Sequence, residues 1–187
     1  MNVSISAVGQ PDLEPVWRWY EVQRDLIVEE SARVQAVFSG AIAAPLLAPP
    51  LNARYQGMAS DDLDKFFKEQ RERLDPIIML ELLATTEGAL RVDFHKRVEQ
   101  RGEDPISREF IKFAQKHGTK IALDRHILET WKERDARTRD AVGSFRGALQ
   151  LRHWLAHGRY WALDRYYTPN EIFDIATELL NVVRAAS

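Results

Sequence analysis

Apolar residues recur along this chain at threes, fours and sevens, and nowhere alternate in twos for more than a few positions. That period belongs to helices with one buried stripe, so the expected fold class is all-α. The stretches between punctuating Gly and Pro residues give the boundaries. Asp12 and Pro15 open a long helix whose stripe is Trp17, Tyr20, Ile27, Val34 and Phe38, with Arg24 and Ser31 in the same row. Gly40, Pro45, Pro49, Pro50 and Gly57 then break the pattern, so 39–60 reads as a long connection that is still apolar enough to pack on something or to cover a site. Asp61 and Asp62 start a short charged helix to about Leu74. Pro76, acceptable in a first turn, starts another that runs to Arg101 and stops at Gly102.

Pro105 and Ser107 open a helix that ends at His117-Gly118, and a further helical stretch from Ile121 to Arg134 carries Leu123, Ile127, Leu128 and Trp131. A helix from Asp135 to His157 follows, then an aromatic-rich loop from Arg159 to Tyr167. Thr168-Pro169-Asn170-Glu171 has the form of a capping box with proline at the first helical position, and Ile172, Ile175, Ala176, Leu179 and Val183 share one face after it. The expected architecture is an up-and-down bundle of four main helices plus short accessory helices, with an arm at 1–11 and one bundle domain at 12–187.

Composition narrows the chemistry. The 187 residues contain no cysteine, which removes disulfides, thiolate metal sites and cysteine nucleophiles. The formal net charge of −2 argues against coating nucleic acid by bulk charge, though a local basic patch stays open. Met1 to Gln10 has no secretory pattern, and no apolar run reaches membrane-spanning length, so the expectation is a soluble, cytoplasmic protein.

One stretch looks built for chemistry rather than packing: Arg152-His153-Trp154-Leu155-Ala156-His157-Gly158-Arg159-Tyr160. With Phe145 as the zero of angle, Leu149, Arg152 and Ala156 lie at about +40°, −20° and +20°. Arg152 is therefore central to its helix's apolar stripe. On the earlier helix Leu90 and Phe94 fall within about 20° of Leu83, with Glu87 about 40° away and Arg91 at the edge. Two opposite charges, each inside an apolar stripe, invite a buried or half-buried ion pair, since an unpaired buried charge is costly. Such a pair could also be a purely structural device of a bundle core.

The opposite face of the same helix carries Gly143, Gly147, Leu151 and Trp154. Two glycines four apart let a helix approach closely, so a homodimer through the Gly143/Gly147/Trp154 face is expected, the alternative being a monomer in which this helix is simply central. His153 and His157 also lie four apart. Without a third ligand or an intervening glutamate this spacing does not make a metal site, and no metal or cofactor is expected. Arg152 and His157 are about 140° apart on a straight helix. They can address one target only if the last turn distorts or if two copies converge across a two-fold axis.

Arg152-x4-His157, with polar His153 directly after the arginine, in the penultimate helix of an all-α bundle, resembles the HEPN domain (higher eukaryotes and prokaryotes nucleotide-binding). The resemblance covers the motif closely and residues 12–186 loosely. It implies a dimeric, metal-independent endoribonuclease of the kind found in toxin–antitoxin pairs, phage defence and RNA processing. It would make Arg152 the holder of the scissile phosphate, His157 the general acid or base, and His153 the orienting polar residue, with Glu87, Arg91 and Tyr160 in support and an antitoxin protein as a possible partner. Some members of the family have lost catalysis and bind nucleotide, RNA or protein, which is the alternative. One departure stands out. The toxin branch paired with nucleotidyltransferase antitoxins commonly has tyrosine two residues after the histidine; here that position is Arg159, and Tyr160 comes one later.

The chemistry is consistent with the residues themselves. Histidine titrates near neutrality and can take the 2′-hydroxyl proton, while arginine is always charged and its fork matches phosphate oxygens. From Thr119 to Arg165 there are 10 Lys or Arg against 6 Asp or Glu. Arg146, Arg159 and Arg165, with Arg134, Arg137 and Arg139, could form a phosphate-attracting RNA-binding patch, and Trp154, Tyr160, Trp161, Tyr166 and Tyr167 could stack unpaired bases. Equally, these charges could be a solvated face and the aromatics core and interface.

Overall fold

A computed structural model describes residues 9–41, 54–118, 121–157 and 165–186. Every regular element among them is helical. The α-helices are α1 (Leu13–Phe38), α2 (Ser60–Gln100), α3 (Pro105–His117), α4 (Glu129–Lys132), α5 (Ala136–Ala156) and α6 (Pro169–Arg184), with a π-helical turn over Leu123–Leu128 directly before α4. The chain is thus an all-α bundle. No helix among the described residues is long and apolar enough to cross a membrane. Residues 1–8, most of the 39–60 connection and Gly158, Arg159, Tyr160 and Trp161 lie outside the described residues.

The helix starts follow local chemistry. Asp104 caps α3 by accepting from the Ile106 and Ser107 N–H groups, with Pro105 in the first turn. Asp135 caps α5 by accepting from Thr138 N at 2.7 Å. At α6 the capping box is complete: the Thr168 side chain accepts from Glu171 N, and the Glu171 carboxylate accepts from Thr168 N at 2.8 Å. Each such cap satisfies donors that a helix start otherwise leaves open.

The residues form two compact units, Met1–Val16 with Met79–Ser187, and Trp17–Ile78. In the second, Val34 of α1 packs with Tyr55, Leu63 and Phe67, and Ile27, Val37, Met58 and Phe66 close round them. In the first, α5 packs on α6 and on α4, and α4 packs on the π turn and α3. Its core holds Leu83, Leu90, Phe94, Phe110, Ile127, Leu128, Trp131, Val142, Phe145, Ile172 and Leu179, all essentially closed to solvent. Phe110 links the layers, with ring centroids 4.9 Å from Phe94 and 6.4 Å from Trp131.

Two local expectations change. The break expected before Pro76 does not occur: Ser60–Gln100 is one helix with Pro76 inside it. An interior proline costs a helix about 3 kcal/mol. The buried series Leu74, Ile78, Met79, Leu82 and Leu83 runs straight through it and supplies the packing that offsets this. α2 ends at Gln100, beside the expected stop at Gly102, and the left-handed residue there is Arg101 (φ 51°), not the glycine. Gly102 is small for another reason: a Cβ there would lie 2.6 Å from Ser107 Oγ. The stretch expected to be an ordinary helix from Ile121 opens as the π turn, whose wider winding brings Leu123 and Leu128, five apart, into the core together.

Candidate functional site

The site begins at Glu87 on α2. Its side chain is 18% exposed and serves two arginines. Oε1 accepts from Arg91 Nε at 3.1 Å and Nη2 at 2.9 Å. Oε2 faces Arg152 Nη2 of α5 at 3.3 Å. The ion pair read from the two apolar stripes is therefore present, and Arg91 makes it a triad. One carboxylate between two guanidiniums leaves one net positive charge. Both guanidinium side chains are 42% exposed, so this charge is open to a ligand.

Arg152 sits at the angle of the buried face of α5, yet it is half-exposed. The buried residues of the helix are Thr138, Ala141, Val142, Phe145, Ala148 and Leu151, so the core ends as Arg152 is reached. Its Nε is nonetheless shut from solvent, and its proton meets no acceptor. A buried N–H without an acceptor costs about 1–3 kcal/mol. An anion reaching this guanidinium would add acceptors at its open edge.

Arg91 is fixed a second time: its Nη1 donates to the Ile121 carbonyl at 3.1 Å. The segment leading into the π turn is thereby attached to the triad.

His153 and His157 lie on the exposed flank of the last turn of α5, with ring centroids 4.2 Å apart. His157 is the C-cap residue and its N–H donates to the His153 carbonyl at 3.1 Å. The two imidazoles are thus together, and Glu87, Arg91 and Arg152 are together. Within one chain, helix geometry still separates the direction of Arg152 from that of His157 by about 140°. Among the described residues, no third His, Cys, Asp or Glu joins the imidazole pair in a metal-holding group.

Two of the outlying arginines, Arg146 and Arg165, have partners elsewhere in the fold. Arg146 donates to the Asp124 carboxylate at 2.6 Å, the Asp124 carbonyl at 3.1 Å and the Glu129 carboxylate at 2.7 Å, tying α5 to the π turn and α4. Hydrogen bonds from Arg146 and then Lys132 hold the Glu129 carboxyl below the usual carboxylate range. Arg165 pairs with Glu171 at 3.0 Å and lies over the Tyr167 ring at 4.7 Å, but stays 62% exposed. Arg159 and Tyr160 fall outside the described residues.

The glycine-tryptophan face divides. Leu151 is buried in the core of its own unit, and a Cβ at Gly147 would lie 2.9 Å from Tyr167 Oη, so Gly147 admits that ring. Around Gly143 there is open space, and Trp154 is half-buried. The open part of this face is centred on Gly143.

Sequence reasoning passed over His126 and the Ile121 carbonyl. His126 stacks on His117 at 4.8 Å and against Phe113 at 4.9 Å. A carbonyl leaves no trace in a sequence, and the π turn shifts His126 from where an α-helical wheel would put it. No protein-family profile, no curated protein and no solved structure matches this chain.

Proposed function

We propose that this protein is a metal-independent endoribonuclease of the HEPN type, in which Arg152 holds the scissile phosphate and His157 moves the proton. The observation that supports this most is the Glu87 yoke. A largely buried carboxylate orients two guanidiniums, each 42% exposed, at the end of the helix that also carries His153 and His157. A preset cation is what the charge building on a cleaving phosphate requires. His157, exposed in the last turn, can take the 2′-hydroxyl proton. The 2′-oxygen then attacks phosphorus, the bond to the 5′-oxygen breaks, and that oxygen leaves with a proton. The products are a 2′,3′-cyclic phosphate and a 5′-hydroxyl. DNA, which lacks the 2′-hydroxyl, should resist.

The angle between Arg152 and His157 favours assembly of the site from two copies, Arg152 of one beside His157 of the other, through the open face at Gly143. The same angle favours a second reading, in which the arginine triad grips an RNA or nucleotide phosphate without cleaving it.

The test is cleavage of a labelled single-stranded RNA in EDTA by wild type, Arg152→Ala and His157→Ala. The expected result is cutting by wild type alone, with cyclic-phosphate ends, DNA spared, and a loss of about 100-fold or more in each variant. RNA bound but left intact by a folded wild type, with binding lost in Arg152→Ala, would establish the binding module instead. Equal cutting by all three would refute the assignment of both residues.

A further inference from the structure

The segment attached to Arg91 is held at its other end by a histidine. Ile121 O and Ala122 N belong to a single peptide group. Its carbonyl accepts from Arg91 Nη1 at 3.1 Å, and its N–H donates to His126 Nδ1 at 2.9 Å. His126 grips Ala122 twice, because its own backbone N–H donates to the Ala122 carbonyl at 3.1 Å. One planar amide therefore stands between an imidazole and the guanidinium that shares Glu87 with Arg152. A peptide group is rigid about its C–N bond, so displacing the N–H displaces the C=O with it.

We propose that His126 is a positioning residue for the arginine triad, acting through the Ile121–Ala122 peptide on Arg91 and through Glu87 on Arg152. The inference rests on the reading of that triad as the phosphate grip, but the linkage itself can be followed without RNA.

The acceptor exists only while Nδ1 is unprotonated; a protonated imidazole has two donors and nothing to offer an N–H. The surroundings disfavour its protonation. Burial, then His117 and Arg125, then Lys116, hold the His126 imidazole below its usual pKa. His117 and Lys116 belong to α3, Arg125 to the π turn itself, and Arg91 lies across the peptide on α2. On α4 the nearby charge of Glu129 is already met by Lys132 and Arg146. Protonation of His126 would end the hydrogen bond to Ala122 N and place a cation against His117. The Ile121 carbonyl would be released from its set position, and Arg91 with it. The π turn fits this role, since a wider turn brings His126 Nδ1 back over the amide four residues before it.

The test is nuclear magnetic resonance of the full chain, following the Ala122 amide and the Arg91 and Arg152 Nε–H signals from about pH 8 to about pH 5. In wild type, all three should shift along the titration curve of His126. His126→Phe keeps a ring beside Phe113 and His117 but offers no acceptor. It should fix the arginine signals at their acidic-end positions and abolish their pH response. His126→Asn restores an acceptor and should return them towards the neutral positions, again without titration. RNA cleavage should fall several-fold in His126→Phe and recover in His126→Asn, with Arg152→Ala as the inactive control. Ala122 shifting with His126 while Arg91 and Arg152 stay still would overturn the proposal, whatever the cleavage result. Coupled arginine shifts without RNA cleavage by any form would uphold the positioning and remove the ribonuclease reading.

Discussion

Arg97 on α2 offers the sharpest test of how the first unit is held together. Arg97 and Asp93 are each about 8% exposed at the side chain. Arg97 Nε donates to both Asp93 oxygens at 3.0 and 3.2 Å, Nη1 faces Asp104 at 3.3 Å, and Nη2 donates to the Ala186 carbonyl at 3.1 Å. Its guanidinium also lies 5.0 Å from the Trp131 ring centre. Arg97→Met keeps the apolar stem and removes the charge. The gross attraction between the paired charges is about 5 kcal/mol at an effective dielectric of about 20. Removing one partner of a buried pair costs about 3–5 kcal/mol net, because the other stays buried and charged. For a chain of this size that corresponds to roughly 6–20 °C in melting temperature.

The assay is urea unfolding followed by far-ultraviolet circular dichroism. Burial already raises the Asp93 carboxyl above its ordinary pKa despite Arg97, and the variant should raise it further. A raised carboxyl loses stability as it ionises. The variant's deficit should therefore be largest at neutral pH and shrink as pH falls towards about 4. Adding Asp93→Asn should recover more than half of the loss. A deficit under about 1 kcal/mol, or a double variant no better than the single one, would refute the account of a charge stranded by loss of its partner.

Two further outcomes follow from the helices around the site. Gly143→Ala meets open space on an exposed helix interior, so it should stabilise the monomer by about 0.5–1 kcal/mol; if copies pack across this face, analytical ultracentrifugation should show weaker association of the same variant. Hydrogen bonds hold several carboxyls below their ordinary pKa: Glu171 through Thr168 N and Arg165, Glu178 through Arg137, and Asp135 through Thr138 N. Depressed carboxyls contribute stability above their unfolded pKa that is lost as pH falls through the folded one. Thermal stability should thus weaken below about pH 4, and Thr168→Ala, costing about 1 kcal/mol at neutral pH, should flatten that acid slope.

The Glu87–Arg152 pair was legible in the sequence because two charges set in apolar stripes had to be matched. The third member was not. Arg91 was read at the edge of its stripe, and its second partner is a backbone carbonyl 30 residues away. Arg97 has the same history: its position in the core depends on Asp104, Ser107 and the Ala186 carbonyl, groups that no helical period links to it. The boundaries of the two units, at Val16/Trp17 and Ile78/Met79, fall inside α1 and α2, so no linker composition marks them.

By itself the sequence determined the all-helical class, the starts of α3, α5 and α6, and the stripes that bury Leu83, Leu90, Phe94, Phe145, Ile172 and Leu179. Caps are satisfied within about four residues and stripes repeat within a few turns, so both are properties of short windows. Only the tertiary structure decided that α2 continues through Pro76, that Leu123–Leu128 winds as a π turn, that Arg152 stands half-open where the core of α5 ends, and that one peptide joins His126 to Arg91. Each of these depends on partners distant in sequence, whose packing outweighs the local preference.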